Sequence, residues 1–353
     1  MMAYAVAAWM PGLLLLAADL VDPAWALIAL IWIVPLAWIA DRLLAGVSLV
    51  PTGRGGGWGR IIPTGIALLH FPLMGLGVLQ IVHAESWAWM GVLFLAHGLQ
   101  FGQVSVPAAH ELIHRRRRRE RWLGMAVFTS ILFGHHATAH PAVHHVWVAT
   151  PRDPNSPRRG ESFWRFWPRA WFGSFRAGFA VEARKARHLG RFVLGPGNRY
   201  WVYVVGGAGS LGLAGMLAGF AGVLAWALLA FHAQLQLLLG DYVQHYGLER
   251  RLLPSGRYEP VAPAHSWDAP PPFSRLMMLN APSHADHHLH PARAFHALVE
   301  PKESGAPLLP FSLPVAATVA LFPRLWRRLV DPRLDRGKAP DRTAGAKRMH
   351  QGG

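Results

Sequence analysis

The chain contains no cysteine. Disulfides, thiolate zinc sites, iron–sulfur clusters and a cysteine nucleophile are therefore excluded. Charge is scarce too: only 15% of the 353 residues are charged, against about 25% in an ordinary soluble domain. Lysine and arginine are missing from long stretches, with none before Arg42, none in 61–114 and none in 200–249. No positive segment precedes the first apolar run, so that run reads as a membrane span rather than a cleavable signal. A dinucleotide-binding fingerprint is absent as well, so any redox chemistry needs electrons from elsewhere.

What is present is apolar surface. Hydrophobic residues make up 52% of the chain, with 16 Trp. Six apolar runs free of Lys and Arg approach the roughly 20 residues that cross a bilayer: 3–20, 24–40, 61–82, 87–109, 200–220 and 221–242. They pair into three hairpins, which turn at Asp19–Asp22–Pro23, at His83–Glu85 and at Gly219–Gly222. The expected fold is an all-α membrane protein, a single domain over 1–335 with six transmembrane helices. Two shorter apolar pieces, 122–133 and 311–321, read as interfacial or buried helices. The proline-rich 254–272 reads as a loop, and the basic tail 336–353 as disordered.

The net charge of +16 arises from 35 Lys and Arg against 19 Asp and Glu. In a six-span topology all of the basic stretches fall on one side with both termini, while the opposite hairpins carry only acidic charge. Basic loops stay cytoplasmic. The expectation is a multi-pass protein of a bacterial-type cytoplasmic (inner) membrane with N- and C-termini inside. Charge placement thus accounts for the basic balance without nucleic acid.

Nine of the 20 histidines fall into four clusters. They are His110-Glu111-Leu112-Ile113-His114, His140-Pro141-Ala142-Val143-His144-His145, His245 in Asp241-Tyr242-Val243-Gln244-His245, and His284-Ala285-Asp286-His287-His288. Residues four apart share a helix face. His110 with His114, and His140 with His144, therefore each serve one metal region. His145 and His288 stand beside another histidine and let one segment serve two metals. All four clusters lie on one side in this topology, a cytoplasmic histidine-rich cap. Imidazole suits zinc, copper, iron and nickel, so ligand type alone leaves the metal open. His-Glu-x-x-His is also a zinc protease motif, but that reading leaves six clustered histidines unused. Histidines outside the clusters, His70, His83, His97 and His232, read as neutral groups bonded to neighbouring helices. His135, His136, His290 and His296 are candidates to support the clusters.

These four clusters resemble the histidine boxes of the membrane-bound non-haem di-iron alkane monooxygenases, within the integral-membrane fatty acid desaturase and hydroxylase superfamily. Xylene monooxygenases are close relatives. The likeness extends to Ala149-Thr150-Pro151-Arg152-Asp153-Pro154, to Gly160-Glu161-Ser162, to His245-Tyr246-Gly247-Leu248 and to the stretch from Leu325-Trp326-Arg327-Arg328 to Asp331-Pro332-Arg333. The sequence departs from the family pattern at Ala139, Val143, Asp241 and Ala281-Pro282-Ser283.

The resemblance implies two iron ions, bound by His110, His114, His140, His144, His145, His245, His284, His287 and His288, with O₂ as co-substrate. It implies hydroxylation of an apolar substrate that enters from lipid, most simply the terminal methyl of an n-alkane. An aromatic methyl group, as in the xylene enzymes, and lipid desaturation or hydroxylation are the alternatives of the same chemistry. Glu111 and Asp286, inside boxes, are expected to accept hydrogen bonds from ligand N–H groups. A rubredoxin- or ferredoxin-type donor with its reductase is the implied partner. Arginines 115–119 offer such a donor a basic face, or else act as a membrane anchor. Trp32 and Trp38 are candidates to set how deep the substrate reaches. A reading of a different class, a non-catalytic metal-binding or transport protein, predicts ionisable residues spread along the middle of the spans. The clusters crowd at one end instead.

Overall fold

In the computed structural model, residues 1–47 and 56–338 are described. Twelve helices carry the fold among them. Five are long and apolar enough to cross a membrane: α1 (Met2–Leu20), α2 (Trp25–Leu43), α3 (Trp58–Val82), α4 (Trp87–Ile113) and, later in the chain, α8 (Tyr200–His245). Between α4 and α8 lie α5 (Arg118–Ser130), α6 (136–147) and α7 (Phe163–His188). After α8 come α9 (Pro272–Met277), α10 (His284–Leu289), α11 (Leu313–Ala320) and α12 (Pro323–Lys338). The chain is a multi-pass, mostly helical membrane protein.

Short polar devices make the turns. The Asp22 carboxylate accepts from the Ala24 N–H at 2.8 Å between α1 and α2. Ser86 caps α4 by accepting from the Trp89 N–H, satisfying one of the free amides of a first turn. The 46-residue α8 is broken inside, at Ala218 and at Gly219 with φ 60° and ψ −151°, a conformation open in practice only to glycine. Gly222 then lies so close to Ala214 that an added Cβ would sit 2.3 Å from its carbonyl oxygen. The two legs of α8 therefore fold back against each other at the glycine-rich point where the sequence sets its third hairpin.

Both shorter apolar pieces are helical and packed. α5 lies against the end of α4, and Trp226 and Gln234 of α8 donate to the carbonyls of Ser130 and Ile131 at its end. α11 packs on α8. The polar histidines within spans find partners on neighbouring elements: His70 Nε2 lies 2.9 Å from Ser130 Oγ, and His97 Nε2 3.2 Å from Asp19 Oδ2.

Two features depart from the sequence reading. α7 was not expected: its composition is too charged for a span, yet its apolar stripe buries Phe163, Phe166 and Ala170 in the way of an amphipathic helix. Residues 336–338, expected in the tail, belong to α12; residues 339–353 lie outside the described residues. α12 seats Trp326 against Tyr242 and Tyr246. The Tyr246 hydroxyl accepts from the Gly160 N–H and donates to Asp331. The stretch around Leu325–Asp331 thereby clamps the end of α8 from outside.

Candidate metal centre

Four elements bring the clustered histidines to one place. The end of α4 carries His110 and His114, α6 carries His140, His144 and His145, the end of α8 carries His245, and α10 carries His284, His287 and His288. The loops that deliver them are pinned. Trp267, fully buried, donates to the Tyr246 carbonyl from its ring and to the Gln244 carbonyl from its backbone. Asp268 accepts from the Ala285 N–H at 2.8 Å, fixing the first turn of α10.

The nine imidazoles form two groups: His110, His114, His140, His145 and His287, and His144, His245, His284 and His288. Within each group one nitrogen per ring lies within 4.8 Å of all the others. The groups adjoin through chain neighbours, with the His145 and His288 rings 4.5 Å apart.

His140 and His144 thus part company, against the expectation from i, i+4 spacing. The reason is a π turn over His140–His144, in which the His145 N–H bonds the His140 carbonyl. Pro141 has no N–H to return to Ala137, which frees the turn to widen. A π turn brings residue i+5 toward the face of residue i. His145 therefore joins His140, and His144 points to the other group. A second π turn, over Phe101–Ser105, lies upstream of His110.

The nitrogen spacings fit a metal better than hydrogen bonding. His140 Nε2 lies 2.7 Å from His110 Nε2 and 3.0 Å from His145 Nε2, and His145 Nε2 lies 3.1 Å from His287 Nε2. In the other group His284 Nε2 lies 2.9 Å from His245 Nε2 and 3.1 Å from His288 Nε2. A ring nitrogen carries one proton or one in-plane lone pair, so it cannot make two such contacts as good hydrogen bonds. Two imidazoles bound at about 2.1 Å to one ion at a right angle would stand about 3.0 Å apart. The Nε2 atoms of His114 and His144 are buried without a partner, a cost that a ligated ion would remove.

Metal binding requires a neutral imidazole, and the surroundings favour that form in most of these rings. Burial pushes His114 down to about 3. Burial, followed by neighbouring histidines, also holds His140, His145, His284, His287 and His288 well below the ordinary imidazole value. His144 is the exception: burial lowers it, but the charge and hydrogen bond of Asp153 and the charge of Asp241 together outweigh burial and raise it. Burial raises Asp153, but the charge and hydrogen bond of His144, with the hydrogen bonds from Ser156 and the Asn155 N–H, together hold it below the usual carboxylate range.

That pairing corrects the sequence reading of the supporting carboxylates. Glu111 accepts from the Phe295 N–H and pairs with Arg115. Asp286 accepts from His290, Arg293 and the Val299 N–H. Neither bonds a clustered imidazole; both carboxylates tie down neighbouring segments instead. The carboxylate that bonds a clustered imidazole is Asp153, 2.8 Å from His144 Nδ1 and itself held by Ser156 Oγ and the Asn155 N–H. Its signal in the sequence was the Thr150-Pro151-Arg152-Asp153-Pro154 turn after the second cluster. Replacing Asp153 with alanine is expected to weaken metal retention or activity by about 10–100-fold. Metal left after a chelator challenge checks this; retention equal to the wild type would contradict it.

Other supporting residues sort as follows. His136 stacks on His140 with ring centres 4.7 Å apart. His135 bonds Ser174 on α7, and His290 bonds Asp286. His296 lies against Gly59 instead of the fourth cluster.

A cavity of about 70 Å³ opens beside both groups, lined by His110, His140, His284, Asp241, Gly102, Gly240 and Leu313 among others. Asp241 stands in its wall with one oxygen 2.6 Å from Asn155 Nδ2. A second cavity, of about 180 Å³, shares Gly102, Gln236, Gly240, Met278 and Leu313 with the first and extends to Leu99, Ala317 and Leu321. Together they run from the histidines outward between α4, α8 and α11. Trp32 and Trp38 line neither. Trp32 donates to the Ala7 carbonyl, and Trp38 is exposed under Arg42.

Comparison with known proteins places this arrangement. Residues 84–314 match the fatty acid desaturase family. Alkane 1-monooxygenase 2 of Pseudomonas aeruginosa is 31% identical over 81% of this chain and 76% of its own length. Alkane 1-monooxygenase 2 of Alcanivorax borkumensis is 32% identical over 71% of each chain. The xylene/toluene monooxygenase hydroxylase component of Pseudomonas putida is 30% identical over 65% of this chain and 60% of its own.

Proposed function

The chain belongs to the membrane-bound alkane monooxygenase family, within the fatty acid desaturase superfamily, and on that premise we propose that it hydroxylates the terminal methyl of an n-alkane with O₂ at two non-haem iron ions. It is a membrane monooxygenase. The single observation that supports the finer reading is the convergence of nine imidazoles into groups of five and four.

His110, His114, His140, His145 and His287 would hold one ion, and His144, His245, His284 and His288 the other. The chemistry such a pair supplies, once reduced, is oxidising power with O₂ sufficient for an unactivated C–H bond. The rest falls to side chains. Asp153 fixes which nitrogen His144 presents by taking its Nδ1 proton in a hydrogen bond. The His265 carbonyl does the same for His245 at 3.3 Å. The adjoining cavities between α4, α8 and α11 would admit an extended apolar chain from lipid and end it beside both groups. Their apolar walls at Leu99, Leu313 and Leu321 suit an alkyl chain and discard water.

Electrons come from a separate donor of rubredoxin or ferredoxin type, served by its own reductase. The five-histidine group is the more accessible of the two, with His110, His114 and His145 partly exposed, and the other group fully buried. Arginines 116–119 are exposed and begin two residues after His114; a basic face there attracts an acidic donor. Arg115 is engaged with Glu111 and the Gly59 carbonyl and is not part of it. With α8 counted as two spans, the topology has six, the histidine cap faces the cytoplasm of a bacterial inner membrane, and both termini lie inside.

The experiment is whole-cell conversion of n-alkanes, alkyl aromatics and fatty acids with product identification. Primary alcohols from n-alkanes are expected. Benzylic alcohols alone would move the assignment to the xylene-type reaction, and alkenes without alcohols would contradict hydroxylation.

A further inference from the structure

Away from the metal centre, the end of α7 and the segment that leads into α8 enclose a cleft of about 440 Å³. We propose that this cleft binds the headgroup of an anionic phospholipid.

Two cations line it, Lys185 and Arg191. Neither belongs to any lysine or arginine ion pair among the described residues. Glu182 also reaches the wall, but it is buried and accepts from Thr138 Oγ1 at 3.4 Å, toward the protein interior. The free charge in the cleft is therefore positive. Beside the cations stand Leu189, 52% exposed, and Phe192, 76% exposed. A free inorganic anion has no use for such apolar surface; the glycerol and acyl portions of a lipid do.

The segment is built rather than loose. Asn198 Nδ2 donates to the Val193 carbonyl at 2.8 Å, Trp201 Nε1 to the Leu194 carbonyl at 2.8 Å, and the Arg191 N–H to the Ala186 carbonyl. Asn198 Oδ1 accepts from the Tyr200 N–H and so caps α8. From that point α8 exposes Trp201, Val202, Val204 and Val205. Apolar side chains exposed on a spanning helix face lipid, and a tryptophan at the helix end marks the interface. The cationic cleft thus sits at the head of a lipid-facing strip, on the side that carries the basic stretches. Basic pockets at that level are suited to anionic headgroups. Arginines 116–119 are equally basic but line none of the described cavities. Occupancy would also brace α7, which backs the second histidine cluster through Ser174 and His135.

Native mass spectrometry of the detergent-purified, full-length protein tests this with phosphatidylglycerol and phosphatidylcholine. Preferential retention of phosphatidylglycerol is expected, by about ten-fold. The double variant K185Q/R191Q should lose that preference. The control R184Q/R187Q removes two charges from the same helix region, neither of them in the cleft wall, and should keep it. Equal retention of both lipids by the wild type, or an equal loss in control and cleft variant, would overturn the proposal. So would inorganic phosphate, if it raised the melting temperature as much as phosphatidylglycerol does.

Discussion

Replacing His145 with alanine is expected to give a protein that holds one iron ion instead of two and turns over at background. His145 is the pivot of its group: its Nε2 lies 3.0 Å from that of His140 and 3.1 Å from that of His287. Its chain neighbour His144 belongs to the other group, so the deletion should spare that ion. His245→Ala should do the reverse, removing the ion of the four-histidine group. Outer partners of a ligand already matter by up to about 100-fold, so loss of a ligand should exceed that in turnover. Iron counted per chain, with activity on the same preparation, reads both effects. Two irons retained in either variant would show that the histidine concerned is no ligand. Equal loss of both ions from each variant, with an unchanged melting temperature, would contradict the division into two groups.

Gly240→Phe should block the substrate without disturbing the metals. Gly240 lines both adjoining cavities, and a Cβ there would meet nothing closer than Gln244 Oε1 at 3.8 Å. A side chain can therefore start from this position without strain and grow into the open space. Iron content should stay at the wild-type level while turnover of long n-alkanes falls by about 100-fold, as expected when a substrate is kept from its attack position. Gly240→Ala should cost little. Product rates across a chain-length series check this; wild-type rates on long alkanes in Gly240→Phe would exclude this passage. Gly102 is a poorer choice for the test, because a Cβ there would fall 2.3 Å from Gln236 Nε2 and disturb helix packing.

The histidine clusters were legible because their residue type and spacing are unusual in any apolar chain. Their bundling at one end followed from where the spans stop. The turn at Gly219 was legible too, since glycines interrupt an otherwise continuous apolar run. The division of the histidines into two groups was not. It depends on a π turn at His140–His144, and helical spacing assumes an α turn there. Asp153 escaped notice as a supporting carboxylate because it reaches His144 through a turn, at a spacing with no helical period. Glu111 and Asp286 drew attention by sequence adjacency, but residues next to a ligand on a helix point elsewhere. α7 was hidden by its charges, and only packing against α6 and α8 reveals its buried stripe.

The claim on which the rest depends is that nine imidazoles hold two iron ions. Iron stoichiometry together with iron-edge X-ray absorption on the active, purified protein tests it most directly. Two irons per chain, each with a first shell dominated by imidazole nitrogen, are predicted. A single metal per chain, or zinc in place of iron in active preparations, would contradict it.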